Sequence, residues 1–193
     1  MEQDGDMKEE ERGKRGKAVR ECVSFILYLI VIVVLTFLMI RYVGQRTRVD
    51  GSSMENTLTN GDNLIVDKIS YRFHEPERFD IIVFPYQYKE DTYFIKRIIG
   101  MPGETVQITD KGEILINGEE LVESYGREVI KDPGLASDPI TLGEDEYFVM
   151  GDNRNYSKDS RFPDVGNIRQ ADIIGKAWLR IYPFDKIGFI RHR

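Results

Sequence analysis

Serines, a lysine and very little histidine frame the chemistry open to this chain. Its 193 residues include two histidines, His74 and His192, and one cysteine, Cys22. The stretch Gly51-Ser52-Ser53-Met54-Glu55-Asn56-Thr57-Leu58 brings small residues and hydroxyls together in what reads as a turn. Such a turn leaves backbone N–H groups available to an oxyanion, although Gly-Ser-Ser is also an ordinary turn or helix-cap sequence. A hydroxyl becomes a nucleophile only beside a base. With histidine scarce, the candidate base is Lys96 in Tyr93-Phe94-Ile95-Lys96-Arg97-Ile98-Ile99. In an extended strand side chains alternate, so Phe94, Lys96 and Ile98 share one face while Ile95, Arg97 and Ile99 share the other. On a buried face the ammonium loses hydration, its pKa falls and a neutral amine can accept a proton. Arg97 stays protonated and is suited to holding a carboxylate. On an edge strand in water, both would be solvated charges.

A third polar cluster follows directly on a strand: Gly151-Asp152-Asn153-Arg154-Asn155-Tyr156-Ser157-Lys158-Asp159-Ser160-Arg161. A calcium loop starting at Asp152 would put Tyr156 where glycine is needed and Pro163 where a bidentate glutamate belongs. A hydrogen-bonded network with Asp159 paired to an arginine fits better. No metal or cofactor is expected.

These residues need elements to position them. The net charge of −6 and the pI near 5.1 argue against nucleic acid as a partner, because phosphate binding needs a basic face. With one cysteine, no intrachain disulfide or cysteine-based metal cluster can form. From Cys22 to Ile40 the chain carries no charge. As a helix this run extends about 28 Å, close to the roughly 30 Å hydrocarbon core of a bilayer. It lacks a polar face and a small-x-small cleavage site, so it reads as an uncleaved anchor. Lys14, Arg15, Lys17 and Arg20 crowd its start, against Arg41, Arg46 and Arg48 after it. The positive-inside rule then places the N-terminus in the cytoplasm and the body outside.

The expected organisation is therefore a disordered tail over 1–21, a transmembrane anchor over 22–42 and an extracytoplasmic body over 43–193. Within the body, β-branched and aromatic runs bounded by turn residues predict strands at 63–66, 79–84, 94–99, 106–109, 113–116, 147–150, 173–174 and 177–182. Asp110-Lys111-Gly112 and Asn117-Gly118 are hairpin signals. Residues 105–145 read as a smaller β-hairpin and loop insertion. The fold class is mainly β, antiparallel, behind an N-terminal transmembrane helix.

Four blocks, taken in order, resemble the bacterial type I signal peptidases, Ser-Lys endopeptidases of secretion. Ser53-Met54-Glu55-Asn56-Thr57-Leu58 is similar to the family's S-M-x-P-T-L, and Arg78 to Phe84 to its R-x-D-[IV]-[IV]-V-F strand. Lys96 to Glu104 resembles K-R-[IV]-x-G-x-P-G-[DE], and Gly151 to Arg161 resembles G-D-N-R-x-x-S-x-D-S-R. The resemblance implies a nucleophilic Ser53, a general base Lys96, a Ser157 that hydrogen-bonds the lysine amine, and bracing by Asp159 and Arg161. It also implies secretory preproteins as substrates, bound as an extended strand at the bilayer surface and cut after small residues of Ala-x-Ala type. Val49, Met54, Leu58, Phe94 and Ile95 would line the shallow pockets. Asn56 stands where the family usually has proline, and Gly51 where some members carry a hydroxyl. A self-cleaving repressor-like Ser-Lys protease and an inactive membrane-tethered binding homologue are the alternatives.

Overall fold

The computed structural model describes residues 2–38 and 44–190, with the helix backbone alone for 2–16, 18 and 19. The chain divides into two units, 1–43 and 44–193. The first holds one helix, α1 (Glu2–Leu38). Its segment Arg20–Leu38 is long and apolar enough to cross a membrane. Residues 2–21, expected to form a disordered tail, are helical in the structure, in keeping with the high helix propensity of Glu, Lys and Arg. Residues 39–42 of the expected anchor lie outside the described residues.

The second unit is built from two antiparallel sheets. The larger contains β1 (Gly44–Arg48), β2 (Asn63–Asp67), β3 (Ile81–Pro85), β4 (Tyr93–Gly100), β9 (Glu146–Met150), β10 (Ile168–Arg169), β11 (Gly175–Tyr182) and β12 (Gly188–Phe189). Their order is β1-β2-β11-β3-β4-β9-β10, with β12 paired to β11. The smaller sheet, in the order β7-β6-β5-β8, uses β5 (Thr105–Ile108), β6 (Ile114–Ile116), β7 (Glu119–Glu120) and β8 (Ile140–Thr141). Between β6 and β7, Asn117 and Gly118 both take positive φ, 53° and 85°, as a two-residue hairpin turn requires.

Two sequence expectations shift. The strand expected from Phe79 starts at Ile81, because the turn 77–80 is closed by Asp80, whose carboxylate accepts from Tyr71 Oη and the Glu77 N–H. Ile173 and Ile174 leave a 3-10 turn at 170–172, and the strand begins only at Gly175.

Strand β4 lies between β3 and β9, with Lys96 opposite Ile82 and Arg97 opposite both Ile81 and Met150. Paired with β3 from Tyr93 to Arg97 and with β9 from Arg97 to Gly100, it is buried from Ile95 to Gly100. Ile95 packs in one apolar cluster with Val49, Met54, Leu58, Leu64, Val66, Ile81 and Val83, so the segment after β1 is pinned onto the centre of the sheet. A second cluster, including Ile99, Val106, Phe148 and Met150, joins the small sheet to the large one.

Arg97 is fully buried and stitches three segments together. Its Nε and Nη2 each donate to Asp152 at 2.8 Å, Nη1 donates to the Phe79 carbonyl at 2.9 Å, and Nη2 reaches Thr57 Oγ1 at 3.1 Å. Tyr125 covers the guanidinium at 3.7 Å. Removing one partner of a buried ion pair strands the other, at a cost of about 3–5 kcal/mol, whereas removing both can be nearly neutral. Arg97→Met is therefore expected to lower unfolding stability by that amount in urea titrations of the detergent-solubilised chain, followed by Trp178 fluorescence. Arg97→Met combined with Asp152→Leu should recover part of it; equal losses in both would contradict the pairing.

Candidate active site

Lys96 carries its amine into the interior, at 4 % exposure. The Nζ lies 2.9 Å from Ser53 Oγ and donates to the Ile95 carbonyl at 3.0 Å. It also sits 4.9 Å from the centre of the Phe94 ring. Burial pushes the lysine down to about 8, against the opposing pull of the Asp159 and Asp152 carboxylates. At pH 7 roughly a tenth of the amine is then neutral, compared with well under a thousandth for a lysine in water.

Ser53 is half-buried in the turn between β1 and β2. The base of that loop is closed by Val49 N–H donating to the Asp62 carbonyl at 2.8 Å and Gly61 N–H to the Val49 carbonyl at 2.9 Å. The Gly51 N–H, a conceivable oxyanion donor from the sequence, is taken by Asn60 Oδ1 at 3.1 Å. The Ser53 N–H donates to no acceptor among the described residues. Next to it, the Glu55–Asn56 peptide is cis.

The polar loop 151–161 backs this turn. Its Asn153 N–H donates to the Ser53 carbonyl at 3.0 Å, and Asn153 Nδ2 to the Ser52 carbonyl at 3.1 Å. Arg161 grips Asp159 through Nε at 2.8 Å and Nη2 at 3.0 Å, and Nη1 reaches the Asp132 carbonyl at 2.9 Å. Asp159 Oδ2 in turn accepts the Gly151 N–H at 3.1 Å. Gly151 has no room for a side chain: a Cβ there would lie 2.4 Å from the Ser53 carbonyl oxygen and 2.3 Å from Ser157 Oγ.

Ser157 departs from expectation. Its buried Oγ makes no hydrogen bond among the described residues, so the contact with the Lys96 amine that the resemblance implies is not formed. The hydroxyl is packed against Gly151, while the amine is engaged by Ser53 and the Ile95 carbonyl.

A cleft of about 290 Å³ opens over Ser53 and Lys96. Four of the five expected pocket residues, Val49, Met54, Phe94 and Ile95, line it. Leu58 does not; at 0 % exposure it belongs to the core, held there by the turn in which its N–H bonds the Met54 carbonyl. Tyr93, Tyr156 and Lys158 also line the cleft; they lie in the Lys96 strand and the polar cluster, but nothing in the sequence marked them individually as cleft residues. Asp152 and Asn153 were visible as part of a polar cluster, but their partners Arg97 and Ser52 lie 55 and 101 residues away.

A family model described as signal peptidase, peptidase S26, matches residues 21–182. A solved signal peptidase I from Enterococcus faecalis V583, 35% identical, superposes with a TM-score of 0.42, covering 53% of this chain and 97% of that one. A signal peptidase I from Leptolyngbya laminosa is 42% identical over 154 residues, 76% of this chain and 73% of its relative. The signal peptidase I P of Bacillus subtilis subsp. natto is 34% identical over 184 residues, 92% of this chain and 97% of that one. By the family model and these two relatives, the chain belongs to the signal peptidase I family, proteases that remove signal peptides from secreted preproteins.

Proposed function

We propose that this chain is a single-pass, membrane-anchored signal peptidase in which Ser53 is the nucleophile and Lys96 the general base. The approach of Lys96 Nζ to within 2.9 Å of Ser53 Oγ, by an amine held away from water, carries this reading. Ser53 Oγ attacks the scissile carbonyl as neutral Lys96 takes its proton. The oxyanion that develops is stabilised by the Ser53 N–H. The Lys96 ammonium then protonates the leaving amine as the C–N bond breaks. Water attacks the acyl-enzyme, delivers a proton to Lys96, and the released Oγ recovers it.

Arg97 and Asp159 with Arg161 hold the strand and the polar loop on which these groups depend. Val49, Met54, Phe94 and Ile95 offer apolar walls for an extended signal-peptide end with small side chains, consistent with Ala-x-Ala sites. The apolar segment of α1 serves as the anchor. The crowding of Lys14, Arg15, Lys17 and Arg20 on its N-terminal side keeps that side in the cytoplasm and the catalytic body outside.

Ser53→Ala and Lys96→Ala are each expected to lower cleavage of an Ala-x-Ala preprotein in detergent by at least about 10³-fold, and the double variant no further, since the two act as one unit. Cleavage that survives either change would remove the dyad. Because only the neutral amine accepts a proton, kcat/KM should climb about tenfold per pH unit below about 8 and level off above it. A pH–rate profile that is flat from pH 6 to 9 would refute Lys96 as base. Protease added outside intact cells should digest residues 44–193 and spare the N-terminal segment; the reverse pattern would overturn the orientation.

A further inference from the structure

Asn153 takes no part in the dyad, yet it is 3 % exposed and directs both its backbone and side-chain donors at the nucleophile turn. The side-chain atom facing the Ser52 carbonyl has to be the amide nitrogen, because a carbonyl oxygen only accepts. That carbonyl and the Ser53 N–H belong to the same peptide plane. Among the described residues the cis peptides are 55–56 and 182–183, so this one is trans. In a trans peptide the C=O and N–H point in opposite directions. A grip on the Ser52 oxygen thus sets where the Ser53 N–H points, which is away from Asn153.

Ser53, on the far side of that plane, is held by the Asn153 N–H on its carbonyl at 3.0 Å and by Lys96 Nζ on its hydroxyl at 2.9 Å, neither of which touches the Ser52 carbonyl. Gly51, the residue before Ser52, is at φ 102°, with no neighbour within 4 Å of where a Cβ would stand. The other donor to the Ser52 carbonyl, the Glu55 N–H at 3.2 Å, comes from within the same turn. Asn153 itself is fixed from outside the turn: it follows Asp152, locked to Arg97, and its carbonyl accepts the Tyr156 N–H at 3.0 Å.

We propose that Asn153 is the positioning residue that holds the Ser52–Ser53 peptide in the orientation in which the Ser53 N–H receives the oxyanion. This rests on Ser53 being the nucleophile. Asn153→Ala deletes the grip. Asn153→Asp keeps the shape but presents an acceptor to the carbonyl, which drives the plane to turn.

In the full chain in detergent, both variants should lower kcat for an Ala-x-Ala peptide by about 10²–10³-fold, the size of a lost oxyanion donor, with KM within about twofold. Affinity for a peptide boronic acid, whose adduct places an oxygen at the oxyanion position, should fall in parallel. The pH midpoint of Asn153→Ala should stay that of the unmodified chain. Asn153 variants that cleave within threefold of the unmodified chain, or that lose activity through KM alone, would overturn the assignment. Should the variants lose their thermal transition, the unmodified chain decides: on boronate binding the Ser53 amide should shift downfield in NMR while the Asn153 side-chain amide stays protected from exchange. A freely exchanging Asn153 amide counts against the proposal. Ser53→Ala, run in parallel, separates the two readings. An active Ser53→Ala removes the nucleophile assignment; an inactive one beside active Asn153 variants removes only the positioning role.

Discussion

A lysine 4 % exposed on a central strand has almost no water left to solvate its charge. That desolvation is the constraint on which the site in this protein depends. It lowers the lysine to about 8, so the amine titrates within reach of neutral pH while resting beside a hydroxyl. The sheet order supplies the burial: β4 runs between β3 and β9, and apolar residues from the Ser53 turn close over it. The Lys96 amine, so lowered, rests 2.9 Å from the Ser53 hydroxyl.

Arg97, the neighbour in sequence, shows the opposite solution to burying a cation. A guanidinium cannot shed its proton, so it needs a full set of acceptors, and Asp152, the Phe79 carbonyl and Thr57 provide them. Alternation along the strand sends adjacent cations to different surroundings, one bonded, among the described residues, only to two neutral oxygens and the other paired to a carboxylate and saturated. One therefore becomes adjustable and the other becomes a fastening. Asp152 and Asp159 serve the fastenings but also lie close enough to oppose the fall in the lysine's pKa. The amine thus reflects a balance between lost hydration and nearby carboxylates.

The loop 151–161 places these carboxylates and holds the Ser53 turn at once. Its approach is so close that Gly151 abuts the Ser53 carbonyl, and Asn153 grips two successive carbonyls of the turn. A turn rich in small residues, with a glycine at positive φ, has little of its own to define its peptide planes. Here the definition comes from the loop, which is itself held by Arg161–Asp159 and Arg97–Asp152.

Local pattern determined a good deal on its own. The apolar helix follows from an uncharged run of bilayer length. The strands around residues 65, 83, 97, 115, 148 and 178 follow from β-branched and aromatic clustering, and the Asn117-Gly118 turn from the positive φ both residues tolerate. The four motif blocks named the family and singled out Ser53 and Lys96. Other features required the third dimension. Leu58 is in the core rather than the cleft, Asp152 is the carboxylate that Arg97 holds, and Ser157 is packed against Gly151 instead of bonded to the amine. Tyr93, Tyr156 and Lys158 joined the cleft without announcing themselves. The contacts that assemble the site join segments 43, 55 and 101 residues apart in sequence. A side chain's type and spacing constrain which face of its own element it takes. What stands opposite that face is set only when sheet order and core packing bring distant segments together.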